Sequence, residues 1–249
     1  MFELYSSDYV DQGENEQLPS EESPPTKFSD LEAYLKERTR GLGESFLDYG
    51  CGADPISFKF AQENGLTPSG MELSADVREL AELNTGVKLL SREEIQAGNR
   101  SFDIVFLGDV LEHLVDPIVE LKFLRMKMSP KGILLAQGPL QGAMTLTHLI
   151  VRFFAWTTRG KLTSYPPYHV SLASSISMKK LLETSGFQLT YMKTFEVDWP
   201  APTFQDLKRS FTLRNLILYT SKQIDLVLAR MLPNYGTRYF LSATLENQL

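Results

Sequence analysis

Three groups of residues in this 249-residue chain have the types and spacing to do chemistry. The first is the run Asp48-Tyr49-Gly50-Cys51-Gly52-Ala53-Asp54-Pro55. Glycines at a strand-to-helix turn let a ligand approach the backbone at the place where an open α/β sheet binds ligands. Dinucleotide sites read G-x-G-x-x-G there, and here Pro55 stands where the third glycine would be. Asp48 comes just before the turn, and a carboxylate beside a helix N-terminus opposes the pyrophosphate that the helix end would otherwise attract. The turn therefore suits a ligand with a cationic portion and no phosphates. Glu72 follows 24 residues later, close to the spacing at which an acid accepts hydrogen bonds from ribose hydroxyls.

The second group is the three histidines. His169 sits in Pro166-Pro167-Tyr168-His169, beyond the fifth predicted strand and on the ligand-binding edge. It is the candidate general base, a role that neutral imidazole suits near neutral pH. His148 lies on an apolar helix and reads as structural. The third group is Asp109-Val110-Leu111-Glu112-His113, whose acids and imidazole are chemically plausible ligands for a divalent metal. Cys51 reads as present for its backbone and small size rather than as a nucleophile.

These residues are positioned by a regular pattern that begins at Phe28. A helix over 29–40 is followed by a strand over 45–49, and Pro55 opens the next helix. A strand over 67–71 precedes a helix capped by Ser74, and further strands are predicted at 87–90, 102–107 and 132–137. Asp116-Pro117 opens a helix to about Met126. Strands alternating with helices at this spacing imply a parallel, doubly wound sheet. Beyond it, helices are predicted over 144–158, 177–185 and 213–231, with strands over 187–193 and 237–245. The 144–158 segment carries Leu146, Leu149, Ile150, Phe153, Phe154 and Trp156. It suits a lid over an apolar substrate, a helix resting on a bilayer surface, or an extra core helix.

Composition narrows the class. Apolar residues make up 43% and charged residues 22%, and a single Cys rules out an internal disulfide, so nothing argues for secretion. No apolar run is long enough to span a bilayer and no signal peptide is apparent, so the expected location is cytoplasmic. The net charge of −6 is uneven: residues 1–27 hold seven acids against Lys27 alone, whereas residues 151–249 hold 12 basic and 6 acidic groups. With no dense Lys/Arg block, nucleic acid is not an expected partner. Residues 12–26 are acidic and Pro-rich, too poor in apolar surface to offset the entropy of ordering them. Ahead of them stand Phe2, Tyr5 and Tyr9. The expected organisation is a flexible acidic segment, 1–27, and one domain, 28–249, with a lid or substrate-side insertion at 143–175.

A ribose without pyrophosphate, attached to a positive group, describes S-adenosylmethionine. The stretches 46–52 (Phe-Leu-Asp-Tyr-Gly-Cys-Gly), 70–74 (Gly-Met-Glu-Leu-Ser), 102–114 with Asp116-Pro117, and 129–135 (Ser-Pro-Lys-Gly-Ile-Leu-Leu) occur in order. In them the chain resembles the class I S-adenosylmethionine-dependent methyltransferases, within the broad subgroup that carries Leu-Glu-His-Leu after the fourth strand and a late Gly-Phe, here Gly186-Phe187. The resemblance implies a Rossmann-like, doubly wound seven-stranded sheet whose last strand is antiparallel. It also implies that Asp48, Gly50 and Gly52 line the methionine moiety, with Tyr49 and Cys51 in the same stretch. By the same resemblance Glu72 holds the ribose, Leu73 flanks the adenine, and Leu107 and Gly108 approach the sulfonium. Where many members carry Gly-Asp-Ala for the base, this chain has Leu90-Ser91-Arg92-Glu93-Glu94-Ile95, so the adenine contact stays open. Asp109, Glu112 and His113 also resemble a metal-linked stretch of the ubiquinone-pathway O-methyltransferases. Glu-His-Leu is common without a metal, so none is assigned. The expected substrate is a small molecule methylated on oxygen, a sugar or secondary metabolite first and a quinone-pathway compound as the alternative; a non-catalytic cofactor-binding module is the rival class.

Overall fold

The computed structural model describes residues 29–38, 44–140, 145–157, 174–197 and 201–246. The acidic segment 1–27, His169 and most of the expected insertion lie outside the described residues. The elements are α1 (Ser29–Arg38), β1 (Ser45–Tyr49), α2 (Ile56–Glu63), β2 (Thr67–Met71), α3 (Ala75–Thr85), α4 (Arg92–Ala97), β3 (Phe102–Gly108), a short 3-10 turn (Leu111–His113), α5 (Pro117–Met126), β4 (Met128–Pro139), α6 (Leu146–Thr157), α7 (Ser175–Thr184), β5 (Phe187–Phe195), α8 (Phe204–Arg209), α9 (Leu213–Met231) and β6 (Arg238–Leu245). One sheet carries six described strands in the order β2-β1-β3-β4-β6-β5. β1 runs parallel to β2 and β3, and β6 runs antiparallel to β5, as expected of a doubly wound sheet with an antiparallel last strand.

The predicted strand at 87–90 is instead a single parallel bridge between Met71 and Leu90. The reason lies in α3. Its Thr85 hydroxyl accepts the Val87 N–H at 3.2 Å and its Glu82 carboxylate accepts the Leu89 N–H at 2.8 Å, so two ladder donors are already engaged. Only the Leu90 N–H reaches the sheet, at Gly70 O, 2.8 Å away. Ser91 then caps α4 in a capping box with Glu94.

The chain divides into two compact units, one of residues 1–108, 122–135 and 247–249, the other of residues 109–121 and 136–246. In the first, β1 is buried along Phe46, Leu47, Asp48 and Tyr49, as a parallel strand covered on both faces must be. Its register sets Asp48 beside Gly70 of β2 and Phe106 of β3. Ser45 ties the start of β1 to β3: its N–H and hydroxyl both donate to the Asp103 carboxylate, and it accepts the Asp103 N–H in return. Gly70 is required by packing, because a Cβ there would come within 2.7 Å of the Phe58 ring and 3.0 Å of Cys51 Sγ.

In the second unit, β5 and β6 pair from Phe187 with Leu245 to Phe195 with Arg238, with an irregularity between Leu189 and Tyr191. Gly186, in the left-handed region at φ 80°, turns the chain from α7 into β5, and Phe187 starts the strand buried. α6 packs antiparallel on α9: Thr147 meets Ser221 near one end, and Arg214 lies over the Phe154 ring near the other. The N-terminus of α6 is capped from α9 by fully buried Asp225, which accepts the Leu146 N–H at 3.0 Å, the Thr147 N–H at 2.7 Å and the Tyr235 hydroxyl.

Burial opposes the Asp225 charge, but the hydrogen bonds from Thr147, Tyr235 and Leu146 outweigh it, and the carboxyl titrates below its ordinary range. A carboxyl held low in the folded state contributes stability that is present above the unfolded value, near 4, and is lost as pH falls through the folded one. Asp225→Ala removes the acceptor of the buried Thr147 N–H and of the partly buried Leu146 N–H and Tyr235 hydroxyl, and is expected to cost about 3 kcal/mol, a fall in Tm of roughly 6–12 °C by thermal melting at neutral pH. An unchanged Tm contradicts this reading of the helix pair.

Candidate functional site

The turn after β1 is built on two residues with positive φ, Gly50 at 83° and Gly52 at 68°. Gly50 and Cys51 both donate their N–H groups to Met71 O, at 2.8 and 3.1 Å, which locks the turn to the tip of β2. Among the described residues nothing lies within 4 Å of where a Cβ on Gly52 would stand, so the backbone there faces open space. Pro55 is the residue before α2, where its missing N–H leaves nothing unpaired.

Asp48 is only 4% exposed, and its carboxylate accepts the hydroxyl of buried Ser57 from the first turn of α2. Burial pushes the carboxyl up to about 7; the Ser57 hydrogen bond opposes the shift and the Glu72 charge adds to it. Asp48, Gly50, Cys51, Ser57, Phe106 and Gly108 line a cavity of about 40 Å³, room for a water molecule or the polar end of a larger ligand rather than a whole nucleoside. Glu72, at the end of β2, is turned onto the backbone. Its Oε1 accepts the Leu73 and Ser74 N–H groups, at 2.7 and 3.2 Å, and its Oε2 accepts the Gly52 N–H at 3.1 Å. Three of a carboxylate's roughly four acceptor positions are thus taken, and the remaining one is on Oε2.

The other sequence-predicted residues separate by burial. The side chains of Tyr49 and Leu107 are in the core, which leaves only their backbones for a ligand, while Leu73 is 58% exposed beside Glu72 and Gly108 borders the cavity. Cys51 packs against the Phe58, Ala81 and Leu89 cluster; burial first, then the charges of Asp48 and Glu72, push its thiol far above the ordinary value, so it stays protonated. His148 lies 3.1 Å from the Thr145 hydroxyl, and burial lowers its pKa, in keeping with a structural role. Ser91 and Glu94 are spent on the cap of α4, Ile95 is buried and Arg92 lies 4.3 Å over the Phe123 ring, so none of the four stands as an evident base contact.

Asp109, with φ 57°, is ion-paired to Arg238, and Glu112 is buried with Oε2 3.1 Å from where a Cβ on Gly138 would stand. Among the described residues no group of His, Cys, Asp and Glu has the arrangement of a metal site.

Two features escaped the sequence reading. The sequence alone gives Ser57 no role, although a hydroxyl two residues past Pro55 is a usable signal. Gln137, at the end of an apolar run, and Tyr239 are both buried, and among the described residues neither the Gln137 side-chain amide nor the Tyr239 hydroxyl has a hydrogen-bond partner. Buried polar groups left in that state carry a cost of about 1–3 kcal/mol each that a polar ligand group or water would relieve.

Open backbone at Gly52, a buried carboxyl poised near neutrality beside it, and an acid at the next strand tip fit a cationic nucleoside, and the sheet, with six described strands and an antiparallel last strand, is of the class I methyltransferase type. A family model for a methyltransferase domain matches residues 21–191. The chain belongs to that family, and its cofactor is S-adenosylmethionine. The ubiquinone biosynthesis O-methyltransferase of Vibrio parahaemolyticus is 32% identical over 108 residues, 40% of this chain and 46% of that protein. The chain spans about half the length of the curated relatives it matches. Among solved structures, the plantazolicin methyltransferase BpumL in complex with a desmethylPZN analog and SAH superposes with a TM-score of 0.58 at 16% identity, over 98% of this chain and 93% of that one. Magnesium protoporphyrin IX methyltransferase from Synechocystis with bound SAH gives 0.54 at 15% identity, over 86% and 80%. At these identities the structural likeness is one of fold.

Proposed function

We propose that this chain transfers a methyl group to a hydroxyl oxygen of a small molecule, the acceptor being a phenol of the kind found on the way to quinones. The observation that carries the reading is the pair of acids at adjacent strand tips, Asp48 and Glu72, around a turn whose glycine backbone is half-buried and left uncrowded at Gly52. When bound, S-adenosylmethionine supplies an electrophilic methyl group. Asp48 offers negative charge to its cationic end, Glu72 offers its remaining acceptor position to a ribose hydroxyl, and the Gly50 to Gly52 backbone admits the chain between them. Leu73 covers the base, and the Gly108 backbone borders the reacting end. The acceptor class rests on the curated relatives, which are O-methyltransferases of ubiquinone biosynthesis. They move that class ahead of the sugars and secondary metabolites that the sequence alone put first.

Methyl transfer is an in-line displacement, so the protein's main contribution is to hold oxygen and methyl in attack geometry, worth up to roughly 7–11 kcal/mol. A hydroxyl acceptor gains from a base, and His169 is the proposed one on sequence grounds. His169→Ala is expected to lower kcat by about 10²- to 10⁴-fold with cofactor affinity unchanged. A variant as fast as wild type removes that role.

The test of the whole reading is transfer of a labelled methyl from S-adenosylmethionine to catechol, to a prenylated catechol and to a hexose. Label on a catechol oxygen is expected. Label only on the hexose restores the sugar reading, and cofactor binding without transfer to any of them makes the chain a binding module.

A further inference from the structure

We propose that Tyr239 orients the methyl acceptor, its hydroxyl donating a hydrogen bond to an oxygen that stands next to the one methylated. The inference rests on the acceptor being a phenol and names the residue that discriminates among such acceptors. Every residue it uses belongs to the second unit. Asp109, the residue after β3, donates its N–H to Gln137 O near the end of β4, at 2.9 Å. β6 begins against the same end, since the Leu140 N–H donates to Thr237 O at 2.6 Å. Tyr239 thus stands beside the carboxyl end of β4, at the edge where open α/β sheets bind ligands. Its ring lies over Gly138: a Cβ there would fall 3.2 Å from the Tyr239 hydroxyl and 3.1 Å from Glu112 Oε2. The missing side chain lets a phenol and a carboxylate both reach the β4 backbone.

Tyr239 is 1% exposed, and among the described residues its hydroxyl has no hydrogen-bond partner. An oxygen buried in that state costs stability that Phe at the same place would not, and such costs concentrate where a ligand supplies the partner. The group keeps its proton: burial first, then the charges of Glu112 and Asp109, hold its pKa well above the ordinary value. It is a donor for that reason. Donation to the attacking oxygen would draw electron density from the nucleophile, so the bond belongs to a neighbouring oxygen. Glu112, 5% exposed and beside the same hydroxyl at Gly138, is an acceptor for that neighbouring oxygen's own proton. A ring with two adjacent hydroxyls meets both demands, and a ring with one meets neither. A site built to bond a substrate hydroxyl rejects the analogue that lacks it, because its own buried polar groups are then left unpaired.

The experiment compares the full chain with its Tyr239→Phe variant in methyl transfer to catechol and to phenol, and in thermal melting without ligand. Expected for the variant are a Tm no lower than that of wild type and an unchanged affinity for S-adenosylmethionine. Its kcat/KM is expected to fall by about tenfold or more on catechol and by less than about threefold on phenol. A variant that melts several degrees lower overturns the proposal, because the hydroxyl then has a partner inside the fold. So does an equal loss on both acceptors, a variant as fast as wild type on catechol, or a wild type no faster on catechol than on phenol. A wild type that methylates neither ring fails the acceptor reading and this proposal with it. A wild type active on catechol whose variant matches it fails this proposal alone and leaves the methyltransfer reading intact.

Discussion

Replacing Glu72 with Ala is expected to weaken S-adenosylmethionine binding by about 1.5–3 kcal/mol, the scale of a hydrogen bond to a charged group, or roughly 10- to 150-fold in Kd. Two contributions add. The carboxylate offers its last acceptor position to a ribose hydroxyl, and it holds the Gly52, Leu73 and Ser74 N–H groups that shape both strand tips. Glu72→Gln keeps one carbonyl oxygen as an acceptor and is expected to fall between Ala and wild type. Calorimetric titration with the cofactor and with its demethylated product checks this. Unchanged affinity in the Ala variant takes Glu72 out of the site.

Asp48→Asn is expected to move stability and binding in opposite directions. An acid whose folded pKa is raised, here to about 7, binds more protons in the folded than in the unfolded chain between its unfolded value near 4 and 7. Stability therefore falls as pH rises through that window, and the ionised carboxyl exacts its full penalty above it. The neutral isostere removes the penalty. The variant should be more stable than wild type by about 2–4 kcal/mol at pH 8 and nearly equal to it at pH 4. Without the charge, cofactor affinity drops. In wild type the cationic ligand favours the ionised form, so affinity rises between pH 6 and pH 8 and binding at pH 6 releases a proton. Thermal melts at pH 4 and pH 8, with titrations at pH 6 and pH 8, read all of this. A variant no more stable at pH 8 means that the carboxylate is already well satisfied in the folded chain.

Much of the scaffold was legible because local chemistry and tertiary packing agree there. The first two strands, Ser45–Tyr49 and Thr67–Met71, lie at their predicted bounds, and Ser74 caps α3 by accepting the Val77 N–H. Disagreement begins where side chains compete with the ladder. The apolar run at 87–90 reads as a strand by composition, yet Thr85 and Glu82 intercept its donors. α4 and α8 each begin with a capping box, Ser91 with Glu94 and Thr203 with Asp206, but neither helix stands out in the sequence because both are short and carry few apolar residues. β4 extends to Pro139, two residues beyond its apolar run, which carries Gln137 into the buried group with Tyr239.

At the site, the identities of Asp48, Gly50, Gly52 and Glu72 follow from spacing, but their state does not. The sequence suggests one open carboxylate facing a cation and a second holding a ribose. The fold instead buries Asp48 against Ser57, nine positions along, and folds Glu72 onto three backbone donors. Both facts depend on how α2 and β2 meet the tip of β1, a tertiary arrangement that no local pattern encodes.

A crystal structure of the chain grown with saturating S-adenosylhomocysteine is the most direct test of the central claim. The account predicts the ribose hydroxyls on the Glu72 carboxylate and the amino-acid end against the Gly50 to Gly52 turn beside Asp48. Ligand bound at another place, or strand tips left bare at saturation, would contradict it.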